Sequence, residues 1–262
     1  MNYSKQARLV GRLLKTDMLI FKSQFIDTTI DTCVWITFCT LVAAYILPQL
    51  GMNSAYGAFA LIGYIGSASI FQTFGNVSQV VADLDGERTI TYPLTLPLPG
   101  WLLMMQKALA FALQSALLSI IILPIGKLIL QDKLNLSLID PVRFLIIYAT
   151  LHLFIAGFFT LFFVSITAKM SRILNVWTRV LFPLWFMGGS QFAWATLNTT
   201  APLFAKICLL NPFIYAFEGL HAATLGQEGY LPFWLCIGML WLFIVVFGVI
   251  SIKRLQRRLD FI

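Results

Sequence analysis

The stretch GAFALIGYIGSASIFQTFGNVSQVVA (57–82) runs twenty-six residues without a charge and meets Asp83-Leu-Asp-Gly-Glu-Arg88 at its end. A helix needs about 20 residues to cross about 30 Å of hydrocarbon, and lipid requires every backbone polar group to be satisfied within the segment, so the stretch reads as a spanning helix stopped by a charged boundary. Within it Ser69, Gln72, Asn76, Gln79 and Asp83 recur at intervals of three and four and so share one helical face. An amide stranded against lipid costs on the order of a few kcal/mol, which turns this stripe toward protein or water. Two readings stay open: hydrogen bonding between helices, or the wall of a polar pathway or dimer seam.

Working outward, comparable uncharged stretches at about 32–50, 108–126, 144–168, 180–198 and 231–252 predict an all-α membrane protein with six transmembrane helices. The composition agrees. At 59% hydrophobic and 11% charged, with a mean hydropathy of +0.85, the chain lies far from the roughly 25% charge of soluble proteins and is not a soluble enzyme. No internal repeat or low-complexity linker divides it, so residues 1–262 read as one membrane domain. Fourteen of the eighteen Lys and Arg fall on the side of the termini if the six spans alternate, which places both termini in the cytoplasm of a multi-pass protein, by expectation one of a bacterial inner membrane. The net charge of +7 is explained by that bias, and no nucleic-acid partner is expected.

Two segments depart from a plain bundle. In residues 1–27, Lys5, Arg8, Arg12 and Lys15 share a face opposed by leucines, which predicts an amphipathic interfacial helix in contact with anionic membrane lipid. In 199–230, apolar runs too short to cross predict a re-entrant helical hairpin between spans five and six. There Asn211-Pro212 has the form of a helix cap and first turn, with Tyr215 and Glu218 on the same face as Asn211. In the fifth span, Trp185 and Gln191 flank Gly188-Gly189, where a helix can bend or unwind; these aromatic and polar groups either touch an amphiphilic substrate or simply pack.

Catalytic chemistry has little to work with. His152 and His221 stand far apart, His152 being expected in a hydrogen-bonded packing role, and Cys33, Cys39, Cys208 and Cys236 sit in apolar runs without metal-ligand spacing. The one Gly-Lys pair, Gly126-Lys127, has Ile121 where a phosphate-binding loop needs its first glycine and Leu128 where it needs Ser or Thr. No cofactor or metal is therefore expected in this chain, and it cannot hydrolyse ATP alone. The connection 83–100 carries Asp83, Asp85, Gly86, Glu87 and Arg88, then three prolines within seven residues, Pro93, Pro97 and Pro99. A proline-stiffened, acid-rich element at the cytoplasmic boundary suits docking of a soluble partner better than lipid binding.

Leu-Asp-Gly-Glu-Arg-Thr (84–89) leading into Leu-Pro-Leu-Pro (96–99), and Asn211-Pro212 with Tyr215 and Glu218, occur here in an order that resembles the membrane (permease) subunit of type-2 ABC exporters, along nearly the whole chain. The resemblance implies a dimer, usually of two copies, resting on two separate ATPase subunits that hold ATP and Mg. It implies that Asp83, Asp85, Gly86, Glu87 and Arg88 couple to that ATPase, and that Asn211, Pro212, Tyr215 and Glu218 close the outer end of the path. Ser69, Gln72, Asn76, Gln79, Trp185 and Gln191 are then the candidates for a translocation pathway. The expected substrate is an amphiphile, either a drug, a lipid or a lipid-linked glycan. An ion-coupled secondary carrier or a non-transport membrane scaffold are the alternatives.

Overall fold

The computed structural model describes residues 3–86, 98–163 and 170–259, and all regular structure among them is helical. Helix α1 (Tyr3–Leu41) runs on through a π-helical turn (Val42–Ile46) and a 3-10 turn (Leu47–Leu50) that closes on Gly51. No turn separates an interfacial segment at 1–27 from a span at 32–50. The reason is local: 3–41 contains no proline, and the threonines at the expected junction bond back to their own helix, Thr28 to the Gln24 carbonyl at 2.9 Å and Thr32 to the Thr28 carbonyl at 2.8 Å.

Helix α2 (Tyr56–Asp85) is about 45 Å long at 1.5 Å per residue, more than the hydrocarbon thickness, so one end projects beyond it. Helices α3 (Gly100–Ser119) and α4 (Ile122–Leu130) follow one another with a break at Ile120-Ile121 and serve as one long apolar stretch. Helix α5 (Pro141–Gly157) starts where Asp140 accepts from the Val142 and Arg143 amides, and it continues as a π-helical turn (Phe158–Phe163). Helix α6 (Met170–Val176), a π turn (Trp177–Leu181) and α7 (Phe182–Phe186) form the next stretch.

Here the fold differs from the expected fifth span at 180–198. The helix ends at Phe186 because the chain turns through Gly188 and Gly189, and Gly189 has φ +86°, a conformation that costs L residues steric strain. A separate helix, α8 (Trp194–Thr200), then leads to α9 (Pro202–Cys208) and α10 (Pro212–Thr224), whose axes meet at 97°. The last helix is α11 (Phe233–Leu259). Among the described residues, five helical stretches are long and apolar enough to cross a membrane: Lys5–Leu50, Tyr56–Asp83, Gly100–Lys133, Pro141–Thr160 and Phe233–Arg254; the bent pair α9–α10 makes a sixth if counted as one span.

All thirteen residues of α10 are buried, and it packs against α11, α5 and α2. A helix buried on every side belongs in the core, and this one, whose polar Glu218, His221 and Thr224 are all hydrogen-bonded, is the centre of the bundle's far end. Asp140 N donates to Ala223 O at 3.0 Å there, and His221 Nε2 meets Phe59 O at 3.0 Å. Two of the cations of that end are taken up by backbone carbonyls. Lys127 Nζ donates to Gln131 O and Leu134 O at 2.6 and 2.9 Å, while Lys133 Nζ donates to Ala44 O at 2.9 Å and lies over the Tyr45 ring.

Close approach between α2 and the Gly188-Gly189 turn depends on Gly63. A Cβ there would stand 2.3 Å from Ser190 O, a backbone atom that cannot swing aside. Gly63→Ala is therefore expected to destabilise the protein by roughly 1–3 kcal/mol, read as a lower midpoint of denaturation in detergent. Gly75→Ala, where nothing lies within 4 Å of the added carbon, is the control and should be no less stable than the parent chain, since alanine favours a helix interior by about 0.5–1 kcal/mol.

Candidate functional site

Near the terminal end, α1, α2 and α3 enclose a polar cleft of about 300 Å³. Gln72, Asn76, Gln79 and Asp83 supply the α2 wall, as their spacing predicts. The α1 wall carries Asp17 and Gln24, and the α3 wall Lys107 and Gln114. Ser69 lies deeper, fully buried, and shares a 3.2 Å hydrogen bond with Ser115 Oγ.

A chain of carboxamides crosses the cleft: Gln72 Nε2 donates to Asn76 Oδ1 at 3.2 Å, Asn76 Nδ2 to Gln114 Oε1 at 2.9 Å, and Gln114 Nε2 to the Asp17 carbonyl at 3.4 Å. The Asp17 carboxylate takes Lys107 Nζ at 2.6 Å on one oxygen and Gln106 Nε2 at 2.7 Å on the other. This ion pair fixes the N-terminal half of α1. From Asp17 to Tyr45, whose hydroxyl donates to Ile129 O, α1 covers about 42 Å, whereas the corresponding path from Gln114 along α3 and α4 covers only about 23 Å, so α1 crosses α3 obliquely. Nearer its N-terminus, Val10 reaches a second, apolar groove lined by α3, α5 and α11 residues such as Leu109, Gly157 and Trp241. Along this part Lys5, Arg8, Arg12 and Lys15 are exposed while Leu9, Leu13 and Leu14 are half-buried.

Lys107→Met should destabilise the protein more than the double change Asp17→Asn with Lys107→Met, because the single change leaves a part-buried carboxylate without its cation. A coupling of about 1 kcal/mol in a double-mutant cycle is expected.

The far end is organised by Glu218. Its side chain, with no exposed surface, accepts from Trp194 N at 2.7 Å and from Leu231 N at 2.8 Å, so one carboxyl group holds the start of α8 and the approach to α11 against α10. Asn211 caps α10 by accepting from Phe213 N at 3.0 Å and donates to Leu184 O at 2.6 Å; Pro212 occupies the first turn. Tyr215 donates to Leu209 O at 2.8 Å across the bend between α9 and α10. His221 stacks on Phe59 with ring centres 4.0 Å apart.

The structure divides the six pathway candidates. Gln72, Asn76 and Gln79 line the cleft and Ser69 continues their face, but Trp185 donates to Ser67 Oγ at 2.9 Å, on the opposite side of α2, and Gln191 Oε1 accepts from Tyr56 OH at 3.0 Å near the far end. Trp185 and Gln191 are thus separated from the cleft by the body of α2. Residues 67 and 69 are two positions apart on a helix, which turns them about 200° from each other. Of the coupling candidates, Asp83 lines the cleft and Gly86 ends α2, its amide donating to Ala82 O at 2.9 Å. Glu87, Arg88 and the side chain of Asp85 lie outside the described residues.

Sequence reading missed Asp17, Gln24, Lys107 and Gln114. A signal existed for two of them, since Lys107 and Gln114 are seven apart and share a face of α3. His152 is bonded as its buried position requires, with Nε2 2.8 Å from Ser119 Oγ and Nδ1 2.7 Å from Tyr148 O. Among the described residues no group of three His, Cys, Asp or Glu side chains is arranged to hold a metal ion.

No curated protein matches the sequence. Residues 13–225 match the family described as ABC-2 type transporter, a span that reaches from the first turns of α1 through the whole of α10 and includes the cleft and Glu218 with its Trp194 contact. With that match over most of its length, and with helices built to cross a bilayer, the chain belongs to the ABC-2 type transporter family and is a multi-pass membrane permease component of an ABC transporter.

Proposed function

We propose that this permease subunit exports an amphiphilic substrate, such as a drug, a lipid or a lipid-linked glycan, from the cytoplasm or inner leaflet, driven by ATP and Mg held in a separate ATPase subunit. The observation that carries the reading is the polar cleft itself, in a chain whose family membership is that of a transporter. Five carboxamide side chains, two acids and a lysine gathered among apolar helices are costly to keep in a membrane unless they face a path or its cargo.

In this account both termini and residues 83–100 lie in the cytoplasm, a placement supported by the excess of Lys and Arg on that side and by the uptake of two far-end cations, Lys127 and Lys133, by backbone carbonyls. The oblique inner half of α1, with its cations exposed and its leucines half-covered, suits a segment lying along the inner leaflet. The bent α9–α10 pair forms a re-entrant outer gate, pinned by Asn211, Pro212, Tyr215 and Glu218. A second copy of the chain completes the path. Asp83, Asp85, Gly86, Glu87 and Arg88 meet the ATPase, whose closure on ATP shifts the membrane halves only to the extent that this contact differs between states.

Coexpression with an ABC-type ATPase and reconstitution into liposomes tests the proposal. Copurification of the two subunits and transport that requires hydrolysable ATP are the expected results. Transport driven by an ion gradient without nucleotide overturns it.

A further inference from the structure

We propose that the cleft between α1, α2 and α3 binds an uncharged, hydroxyl-rich headgroup, that of a sugar or polyol, presented from the inner leaflet. The inference deepens the export reading by naming what the cleft takes, but it concerns binding by this chain and does not depend on the ATPase.

The hydrogen-bonding inventory points to that chemistry. A carboxamide carries two N–H donors and a carbonyl with two lone pairs. The chain from Gln72 through Asn76 and Gln114 to the Asp17 carbonyl uses one N–H of each amide, which leaves each with a further donor. Gln24 and Gln79 are exposed, and among the described residues neither side chain has a hydrogen-bond partner. The cleft therefore offers donors and acceptors interleaved, the pattern a hydroxyl group needs because it both gives and accepts.

Charge argues against the obvious rivals. Among the described residues the one cation in the lining, Lys107, is spent on Asp17, so a phosphate or other anion finds no spare cation there. An ammonium headgroup finds Asp17 already occupied by Lys107 and Gln106. Phe21 and Phe111, both nearly buried, line the same cleft and give apolar ring faces beside the amides, which suits the mixed surface of a sugar. A volume of about 300 Å³ stands at the lower end of ligand-site sizes, which admits a headgroup and not a whole lipid. The cleft reaches along α2 from Asp83 to Gln72, about 17 Å, and so extends from the membrane boundary well into the inner half of the bundle.

The test uses the full chain in phosphatidylcholine nanodiscs doped with a monoglucosyl diacylglycerol that carries a photoactivatable diazirine on the sugar. Labelling is expected in peptides containing residues 72–83 and 107–114, reduced about tenfold in Asn76→Leu with Gln114→Leu, which removes two hydrogen-bonding groups. Gln79→Leu, a change at an exposed side chain that breaks no internal bond, controls for misfolding and should lower labelling while leaving the denaturation midpoint unchanged. Competition by free methyl glucoside would support a site that reads the sugar alone, and competition only by unlabelled glucosyl lipid would support one that needs the lipid-borne form. Equal labelling by a diazirine on phosphatidylethanolamine, or labels scattered over lipid-facing surfaces, overturns the proposal. So does a disulfide between two copies formed through Gln79→Cys, which would make the cleft a dimer seam. Loss of ATP-driven transport with labelling intact would instead count against the export reading alone.

Discussion

Glu218→Ala is expected to lower stability by roughly 2 kcal/mol or more, the cost of leaving two part-buried backbone N–H groups without an acceptor at about 1 kcal/mol or more each. The donors are the amides of Trp194 and Leu231, which belong to different segments, so the loss is shared between the start of α8 and the approach to α11. Both segments should loosen together, seen as faster amide exchange over residues 194–200 and 225–233. Glu218→Gln keeps one carbonyl acceptor but turns an NH₂ group toward the other donor, so it should cost about half as much. Equal stability of Glu218→Gln and the parent chain would show that the second contact contributes nothing. Because Glu218 sits in a helix buried on every side, the effect should not depend on the ATPase partner.

The second large effect concerns coupling. Asp85→Arg or Glu87→Arg reverses a charge next to Gly86, where α2 ends. If the acid-rich connection sits in a groove of the ATPase, a reversed charge there costs several kcal/mol, and ATP-driven transport should fall at least tenfold. Insertion of the chain and its denaturation midpoint should stay the same, since both substitutions fall in the charged connection and leave the uncharged stretch 57–82 intact. Full coupling in both variants, measured as transport per ATP hydrolysed in liposomes, would remove the docking role of this connection.

The spans were largely legible from sequence because lipid imposes one rule, an uncharged apolar run of sufficient length, and residues 57–82 satisfy it without ambiguity. The fifth was misplaced for a physical reason. Hydropathy registers Trp185 to Trp194 as continuous, while the backbone breaks at Gly188-Gly189, and apolar character says nothing about that break. The cap at Asn211-Pro212 was readable since the signal is local and carries its own mechanism, whereas the same signal at Asp140-Pro141 went unread. The cleft was half legible. The stripe on α2 announced itself by spacing, but Asp17 lay hidden among the cations of α1 and Lys107 looked like one more loop cation, because an ion pair between residues ninety apart leaves no local pattern. Trp185 and Gln191 were grouped with the stripe on chemistry alone, and helix geometry sends them to other surfaces.

The central claim is that a membrane chain without a motor of its own is driven from its cytoplasmic face near residue 87. Glu87→Cys, treated with a membrane-impermeant maleimide in intact cells and in inside-out vesicles, measures this directly. The account predicts labelling only in the inside-out vesicles and protection when the ATPase is bound. Labelling from the outside of intact cells would contradict it.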